Sequence, residues 1–396
     1  MKTVYIVGMG MNRQTITAEG MHAIERADAL IGAKRMVESF ANLGKTLFVS
    51  YQPDTVAAWI AQHTGNNYAV LVSGDVGFYS AAGSLKTALS AFDVRLLPGI
   101  SSVSSFFAKC GLPWQDAALV SLHGTESSIV DVVRRNHVTF ALTGGNVQEI
   151  GNALKAAGFG ALSVRVGEDL GADSERVTQI TAAALSEGCY APLTVLIIEN
   201  DMFDNSVRTG IADDVFLRGD VPMTKAEVRA VSLSKLALRE TDVCYDIGCG
   251  TGSVTVELAL SAHKGRVYAA DTKEEAVALT QENCVRFHVG NVKVFHGSAP
   301  EILCDWPAPN AAFIGGSGGN LPEIVRILIR KNPCVRIVVN AIALESATAA
   351  ISTLSNAGFD PELTQISVAR TKKTGGLHLM MAQNPIFIIS GGGMDA

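Results

Sequence analysis

The sequence predicts an α/β protein built from two domains. Short apolar runs rich in β-branched residues alternate with helical stretches along the chain, and many of these runs end in glycine. A polar stretch separates two groups of such runs. Continuous apolar strands followed by helices are typical of parallel sheets covered on both faces. The predicted strands span 4–8, 68–74, 139–145 and 193–200 in the first group, and 243–248, 266–271, 292–297, 311–316 and 336–342 in the second.

The polar stretch at 199–225 divides the two groups. It carries several aspartates, glycine and proline and has little apolar periodicity, which is typical of a segment between domains. We therefore predict one domain at residues 1–205 and a second at residues 206–396, joined by a linker. A length of 396 residues is consistent with two or three domains.

Composition argues against several classes of protein. With 48% hydrophobic and 18% charged residues, the chain is far from the composition of disordered proteins. The 32 basic and 38 acidic residues give a net charge of −6 without a run of like charges, which argues against nucleic acid as a partner. No apolar stretch reaches the roughly 18 residues of a membrane span, and the first residues show no signal-peptide cleavage site. We expect a cytoplasmic protein with no membrane partner.

Cysteine and histidine usage does not support a metal site. The seven cysteines form no C-x-x-C pair, and the eight histidines show no H-x-x-x-H or H-E-x-x-H spacing. We expect no bound metal, and thiols that are reduced and mostly buried.

The second half contains a glycine-rich turn within DVCYDIGCGTGSVTVELA (242–259). Gly248, Gly250 and Gly252 permit positive φ, and we expect free N–H groups of the turn and the following helix N-terminus to face a ligand. Asp271 closes the next strand 19 residues after Gly252, the usual place for a carboxylate that accepts ribose hydroxyls. The alternative is a glycine turn that only packs the strand on the helix.

Several predicted strand ends in the first half carry glycine, serine or threonine. Each alone is a common β–α turn, but ligands of parallel sheets bind beyond the carboxyl ends of the strands. We therefore predict that these segments converge on one cleft. They are VGMGMNR (7–13), SGDVGFYS (73–80), LLPGISSVSSFFAKCGLPWQD (96–116), LHG (122–124), LTGGNVQEIGNAL (142–154) and VGEDLGADSERV (166–177).

The first half resembles the tetrapyrrole methylase family, in the branch that methylates C-5 of a cobalt-precorrin. The shared segments are SGDVGFYS, PGISSV, GLPWQDA, SLHG and LTGGN. The second half has the D-x-G-x-G-x-G spacing of class I S-adenosylmethionine methyltransferases and is similar to the branch that methylates C-15 and decarboxylates the C-12 acetate. Its shared segments are PMTKAEVRA, DIGCGTGSVTVE, FIGGSGGNL, VVNAIALES and TGGLHLMMAQNPIFIISG.

The resemblance covers the whole chain and implies both fold and cofactor. It implies a tetrapyrrole methylase fold, with a cofactor cleft between two α/β subdomains, followed by a Rossmann-like class I methyltransferase domain. One S-adenosylmethionine is expected in each domain. In the first it would be held by Gly8, Gly10, Ser73, Asp75, Phe78, Ser101, Ser102, Leu142 and Thr143. In the second it would be held by Thr224, Asp246, Gly248, Cys249, Gly250, Thr251, Gly252, Asp271, Ser298 and Ala299, with Asp246 either meeting the ligand's ammonium group or ordering the loop.

The function that the resemblance implies is methylation of precorrin-6B or cobalt-precorrin-6B at C-5 and C-15, with decarboxylation of the C-12 acetate, in cobalamin biosynthesis. It also implies a homo-oligomer, since relatives of the first half form dimers and relatives of the second form tetramers. Two alternatives stay open. One is a class I methyltransferase acting on RNA or another small molecule, and the other is a tetrapyrrole-binding protein whose first site is inactive.

Methylation of a ring carbon needs alignment, a dry site and an acceptor for the proton that the carbon sheds. Asp75 and His123 are the candidate acceptors in the first half, although Asp75 also suits loop ordering and His123 suits an ordinary loop position. Glu345 is the candidate catalytic residue of the second half.

A substrate with many carboxylate arms needs cationic partners, and its ring needs room. The predicted substrate contacts are Gly315, Gly316, Gly318, Arg370 and Lys372, with Lys373 beside them. The alternative for 369–378 is a solvated basic turn, and Lys34 and Arg35 in the first half carry the same ambiguity.

Two local sequences carry further expectations. Where the family's first loop usually reads Gly-x-Gly-Pro-Gly followed by Asp or Ser, this chain has Gly8-Met9-Gly10-Met11-Asn12-Arg13, which predicts a bulkier and less constrained loop. Thr224 with Glu227 three residues later predicts a capping box at a helix start, and by resemblance this segment closes over the cofactor.

Overall fold

The computed structural model describes residues 2–123, 128–206 and 208–393, and the chain divides into two compact units. Unit 1 consists of Met1–Thr125, His137–Ile150 and Leu162–Glu199. Unit 2 consists of Glu126–Asn136, Gly151–Ala161 and Asn200–Ala396. The boundary between residues 205 and 206 stays a prediction, because two stretches that precede it are grouped with unit 2.

The elements alternate between strand and helix as the sequence predicts. Up to Glu199 they are β1 (Thr3–Gly8), α1 (Ala18–Arg26), β2 (Ala29–Gly32), α2 (Lys34–Glu38), β3 (Thr46–Val49), α3 (Pro53–Gln62), β4 (Asn67–Val72), α4 (Ala82–Ala88), β5 (Asp93–Leu97), α5 (Ser102–Cys110), β6 (Ala118–Ser121), α6 (Ile129–Arg135), β7 (Val138–Leu142), α7 (Val147–Ala156), β8 (Ser163–Glu168), β9 (Arg176–Thr181) and β10 (Thr194–Glu199). After it come α8 (Ala226–Leu236), β11 (Val243–Ile247), α9 (Ser253–Ser261), β12 (Arg266–Asp271), α10 (Glu274–Arg286), β13 (Val292–His296), β14 (Ala311–Ile314), α11 (Leu321–Lys331), β15 (Arg336–Ala341), α12 (Leu344–Asn356), β16 (Glu362–Ile366), β17 (Ala369–Thr374), β18 (Leu377–Ala382) and β19 (Ile386–Gly392).

Unit 1 contains two sheets. The first, in the order β3-β2-β4-β1-β5, is parallel throughout, and its three central strands are largely buried on both faces, whereas β3 and β5 at the edges are half-buried to exposed. The second, in the order β6-β7-β10-β8-β9, is mixed, because only β6 and β7 run parallel. The prediction of a parallel sheet is therefore wrong for β10, which is antiparallel to both neighbours. A central strand of a mixed sheet is also buried on both faces, so its apolar run does not reveal its direction.

Unit 2 is built on one seven-stranded sheet in the order β13-β12-β11-β14-β15-β19-β16. The first five strands are parallel, and β19 runs antiparallel between β15 and β16. Chain order reverses at β11, whose neighbours are β12 and β14, and such a reversal opens a crevice beyond the carboxyl end of the strand. The α/β class is thus confirmed, and the glycine turn after β11 lies at this reversal.

The polar stretch predicted as a linker is ordered where it leads into α8. We call residues 210–224 the strap. The backbone N–H groups of Gly210 and Ile211 donate to the carboxylate of Glu257 on α9, at 2.8 and 2.9 Å. Glu257 in turn accepts from Nε of Arg229 on α8 at 2.5 Å, and both side chains are fully buried. The linker prediction is wrong for this segment, because buried partners satisfy its polar backbone.

Arg229 also binds the strap directly. Its Nη1 donates to the carbonyl of Thr224 at 2.6 Å, its Nη2 donates to the carbonyl of Ile211, and its guanidinium lies 4.9 Å from the ring centre of Phe216. Asn283 on α10 holds the strap again through two bonds to the backbone of Leu217, at 2.8 and 3.0 Å.

Two other expectations concern cysteines and membranes. All seven cysteines are free, but Cys189, Cys304 and Cys334 are exposed, so the prediction of mostly buried thiols holds only in part. Within the described residues, no helix combines the length and the apolar character that crossing a membrane requires.

We expect Arg229→Met to lower the stability of unit 2 by about 3–5 kcal/mol, because it leaves the buried carboxylate of Glu257 without its cation. Urea unfolding followed by circular dichroism measures this change. The matched control is Arg326→Met, which breaks the solvent-exposed pair of Arg326 and Glu323 and should shift the midpoint far less. Equal shifts for both variants would show that the buried pair does not hold the strap.

Candidate functional site

Unit 1 contains a cleft of about 820 Å³ beyond the carboxyl ends of β1, β4 and β7. Every residue predicted to bind cofactor in the first half lines it, except Gly8, and His123 lines it as well. Gly8 is required for another reason: a Cβ there would lie 2.7 Å from both the carbonyl oxygen of Gly74 and the nitrogen of Gly99. The structure therefore brings these loops together around one cleft, as the sequence predicts.

Hydrogen bonds tie the loops of this cleft to one another. Gly10 and Gly74 exchange backbone bonds of 3.1 and 3.2 Å, joining the loops after β1 and β4. Asp75 accepts from the N–H of Gly77 through Oδ1 at 2.8 Å and from the N–H of Gly99 through Oδ2 at 3.0 Å. Of the three roles predicted for Asp75, namely proton acceptor, cofactor contact and loop ordering, its geometry supports loop ordering, because each carboxylate oxygen already holds a loop in place.

The loop after β1 is bulkier than the family pattern, as predicted, but it is not unconstrained. Met11 and Asn12 both donate their N–H groups to Oγ1 of Thr15 at 2.9 Å, and Asn12 caps the 3-10 turn Arg13–Thr15. The side-chain amide of Asn12 also donates to the carbonyl of Gly171 at 2.6 Å. The expectation that the loop is less constrained than the family's stays a prediction, but side-chain capping supplies constraints that the sequence analysis did not foresee.

Sequence reasoning missed part of this cleft. Arg13 lines it, although the sequence suggested only added bulk at this position, and Met36 and Ser39 near α2 line it too. Arg35 lines the cleft, whereas Lys34 does not. Nζ of Lys34 instead lies 3.8 Å from Oε1 of Glu38. Helical spacing around Arg35 could have revealed Ser39, which is four residues further on.

The glycine turn of unit 2 differs from its prediction in one respect. Its N–H groups are not free: those of Gly248 and Cys249 donate to the carbonyl of Ala270, and that of Gly252 donates to Cys249. The N–H of Gly250 donates to Oδ2 of Asp271 at 3.0 Å, and that of Thr251 to the carbonyl of Pro222 in the strap. A ligand here must be recognised by the shape of the turn and by side chains.

Close packing explains why the turn needs glycine. A Cβ at Gly250 would lie 2.4 Å from the carbonyl oxygen of Pro222, and one at Gly252 would lie 2.8 Å from Cα of Thr280 on α10. Cys249 is buried and accepts a bond from Oγ1 of Thr280 at 3.3 Å. The packing role and the binding role of this turn are therefore compatible.

Two buried polar atoms at the turn have no partner within the described part of the chain. Asp246 is fully buried and accepts a hydrogen bond from Thr255 through Oδ2, while its Oδ1 is unpaired. Burial above all, together with the nearby carboxylate of Asp271, raises the pKa of Asp246 to about 7 despite the bond from Thr255. The hydroxyl of Thr251 is unpaired too. An ammonium or hydroxyl group of a ligand would satisfy these atoms.

The remaining predicted cofactor residues of unit 2 lie at strand ends. Asp271 ends β12, and its Oδ1 accepts from the N–H of Lys273 at 3.0 Å. Ser298, which is exposed, and Ala299, which is half-buried, follow β13. They lie at the carboxyl edge that carries the glycine turn.

The capping box predicted at Thr224 is wrong. Helix α8 begins at Ala226 without a side-chain cap, and the carbonyl of Thr224 accepts from Arg229. Glu227 instead accepts two bonds from the guanidinium of Arg370, whose Nη1 donates to Asp213 at 2.9 Å. Arg370 is thus engaged by two carboxylates of its own chain, so the geometry does not support its predicted role as a substrate contact.

The other predicted substrate residues are exposed. Gly315 and Gly316 follow β14 next to the turn, since a Cβ at Gly248 would lie 2.8 Å from the nitrogen of Gly316. Gly318 is exposed two residues further on. Glu345, in the first turn of α12, and Lys372, on β17, are exposed, and among the described residues no hydrogen bond or ion pair joins either to the glycine turn. The described residues contain no cluster of histidine, cysteine or carboxylate side chains that could hold a metal ion.

Two family models match the chain. Residues 3–186 match tetrapyrrole (corrin/porphyrin) methylases, and residues 214–391 match the precorrin methyltransferase domain. A precorrin-6Y C(5,15)-methyltransferase [decarboxylating] of Sinorhizobium sp. is 30% identical over 371 residues, which cover 91% of this chain and 88% of that protein. The chain belongs to this methyltransferase family.

Other members of the precorrin methyltransferases match the second half alone. A probable cobalt-precorrin-6B C(15)-methyltransferase (decarboxylating) of Pyrobaculum calidifontis is 47% identical over 184 residues, which cover 46% of this chain and 94% of that protein. The crystal structure of a precorrin-6y C5,15-methyltransferase from Geobacter metallireducens is 37% identical, with a TM-score of 0.45, and covers 46% of this chain and 97% of that one.

Asp246 should make the stability of this methyltransferase pH-dependent. Its pKa in the folded state is about 7, above the usual 3.8, so its stabilising effect is complete below pH 3.8 and is lost as the pH rises through 7. We expect Asp246→Asn, which keeps an acceptor for Thr255 but stays uncharged, to gain stability over the natural chain between pH 5 and pH 8. Urea unfolding at each pH measures the difference. The exposed Asp360→Asn is the control, and parallel curves for all three chains would contradict a buried, ionising Asp246.

Proposed function

We propose that the chain transfers methyl groups from S-adenosylmethionine to C-5 and C-15 of precorrin-6B or cobalt-precorrin-6B, and removes the C-12 acetate carboxyl group as carbon dioxide, in cobalamin biosynthesis. The observation that carries this proposal is the match to a decarboxylating precorrin-6Y C(5,15)-methyltransferase over 91% of the chain. That match spans both units, and each unit has a glycine-lined site at the carboxyl ends of its strands.

The two methylations are assigned to different units, and the decarboxylation goes with the second. C-5 methylation belongs to the cleft of unit 1, because residues 3–186 match the tetrapyrrole methylases. C-15 methylation and decarboxylation belong to unit 2, because its relatives are named as decarboxylating C(15)-methyltransferases. Each unit binds its own S-adenosylmethionine, a proposal supported by the cleft in one unit and by the unpaired atoms of Asp246 and Thr251 in the other.

The cofactor, when bound, supplies a methyl group activated on a sulfonium sulfur. In unit 1 the protein contributes alignment, which the loops fixed by Asp75 provide. As the new C–C bond forms and the C–S bond breaks, the ring carbon must lose a proton. His123 is the better acceptor of the two predicted, because it is exposed to the cleft and its ring forms no hydrogen bond within the described residues, whereas Asp75 is occupied.

In unit 2 the electrons left by the departing carbon dioxide pass into the conjugated ring, so the protein needs chiefly to position the acetate and exclude water. Gly315 and Gly316 border the cofactor turn and leave room for the ring. Glu345 and Lys372 stay proposals as catalytic and substrate residues, supported by their residue types and exposure.

We expect the chain, given S-adenosylmethionine and precorrin-6B or cobalt-precorrin-6B, to yield a product that has gained two methyl groups and lost one carbon dioxide, measured by mass spectrometry. Asp75→Ala frees the loops of unit 1 and should slow C-5 methylation at least about tenfold. The product that accumulates should then carry one new methyl group and no C-12 carboxyl group. Asp271→Ala frees the N–H of Gly250 and should leave one methyl with the carboxyl retained.

The control for both variants is Asp305→Ala, which removes an exposed carboxylate. A natural chain that changes neither ring would favour a methyltransferase acting on RNA or another small molecule. One methyl and loss of carbon dioxide from the natural chain would indicate an inactive unit 1.

We also propose that the chain forms a homo-oligomer through the β17–β18 hairpin. These two strands pair only with each other within the described residues, and β18 is exposed along its whole length. Four of its apolar side chains are 46–68% exposed: Leu377, Leu379, Met380 and Met381. Apolar side chains grouped in this way on one exposed strand are typical of an association surface.

We expect Leu377→Lys combined with Leu379→Lys to reduce the mass of the particle in multi-angle light scattering to that of a smaller assembly, because charge is buried poorly at an apolar contact. Val285→Lys, on the exposed side of α10, is the control. A natural chain that is monomeric, or a double variant of unchanged mass, would refute this surface.

A further inference from the structure

We propose that Arg13 and Arg35 form the substrate-binding end of the unit 1 cleft, where they bind carboxylate arms of the tetrapyrrole. This inference rests on the function proposed above and adds two residues that determine how the substrate is held. It starts from the observation that both arginines line one cavity, which the glycine and serine loops line as well.

The two arginines belong to the same side of the cleft. Nη1 of Arg13 donates to the carbonyl of Ser39 at 3.2 Å, and Arg35, Met36 and Ser39 follow one another through α2 and the residue after it. All four line the cavity. The loops that carry Ser73, Ser101 and Thr143 come from other elements, so the cleft has an α2 side that the proposed cofactor residues do not supply.

The charge on this side is not neutralised. Within the described residues, the aspartate, glutamate, lysine and arginine side chains that line the cleft are Arg13, Arg35 and Asp75. Asp75 is committed to two backbone N–H groups. Arg35 forms no hydrogen bond or ion pair with any described residue, and the partners of Arg13 are neutral, namely the Ser39 carbonyl and Oδ1 of Asn42 at 3.3 Å. The two arginines therefore leave the α2 side with two positive charges.

The contacts of Arg13 fix its side chain within the chain itself. Its guanidinium lies 5.0 Å from the ring centre of Phe40, which is fully buried, and its backbone begins the 3-10 turn capped by Asn12. Because only Nη1 is bonded, Nε and Nη2 stay available as a two-pronged donor. A guanidinium whose fork is fixed in this way matches the geometry of a carboxylate.

A reduced tetrapyrrole with acetate and propionate arms fits this chemistry. Its apolar ring can pack on flexible methionine side chains, and Met9, Met11 and Met36 line the cleft around the arginines. The unusual loop after β1 thus has a role in this proposal: it places a positive charge at position 13 of the cavity wall, where the family pattern has Asp or Ser.

The test compares Arg13→Gln, Arg35→Gln and the double variant with the natural full-length chain, timing C-5 and C-15 methylation separately by mass spectrometry. We expect each single variant to raise the KM for precorrin in C-5 methylation about ten- to hundredfold, since each removes a charge-assisted bond, while kcat changes little. Arg13→Lys and Arg35→Lys should restore part of the loss. C-15 methylation in the same samples is an internal control.

Lys34→Gln is the matched control, because it removes a positive charge next to Arg35 from a residue that does not line the cleft. The proposal is overturned if both glutamine variants keep the KM of the natural chain. It is also overturned if they lower kcat or S-adenosylmethionine affinity instead, which would mean that the arginines only support the loop.

Failure of the proposed function gives a different result, namely a natural chain that adds no methyl group at all. Binding of uroporphyrin, an octacarboxylate, then decides the inference by fluorescence titration. Salt-sensitive binding that weakens in the double variant but not in Lys34→Gln supports an anionic tetrapyrrole site, and binding that is equal in all chains, or absent, refutes it.

Discussion

The side chains of Arg229 and Glu257 form an ion pair that is fully buried, and each also forms hydrogen bonds with the backbone of the strap. Without these bonds the polar backbone groups of the strap would lack partners. The strap that they fix brings the carbonyl of Pro222 against the glycine turn. Asp213, at the other end of this network, lies 3.5 Å from Arg229 and accepts from Arg370 of β17. The turn, the start of α8 and the hairpin therefore share one network of charged side chains, which is buried at Arg229 and Glu257 and reaches the surface at Arg370.

In both units an aspartate near a strand end accepts hydrogen bonds from the backbone of the glycine loops. A tight loop needs partners for its N–H groups, and in each unit an aspartate supplies two: Asp75 for Gly77 and Gly99, and Asp271 for Gly250 and Lys273. A loop satisfied in this way keeps its shape without a ligand. Recognition is then left to cavity walls and to side chains with free atoms, which suits a cofactor that carries no phosphate.

The sequence was informative wherever burial dominated. All nine predicted strands exist, because an apolar run bounded by glycine needs a sheet to bury it. Strand direction at β10, the order in the strap and the partners of Arg370 were not predictable, since each depends on residues distant in sequence: β7 and β8, Glu257, and Glu227 with Asp213. The glycine loops of both sites followed from local pattern. Arg13 did not, because only the folded chain places it beside α2.

The unpaired oxygen of Asp246 has a thermodynamic consequence. A carboxyl group whose pKa is about 7 is half protonated in neutral solution, and a cation placed beside it favours the ionised form. Loading this site with a positively charged ligand is therefore coupled to the release of a fraction of a proton. The heat of binding such a ligand would then vary with the ionisation enthalpy of the buffer, and the affinity of unit 2 for it would fall in more acidic solution.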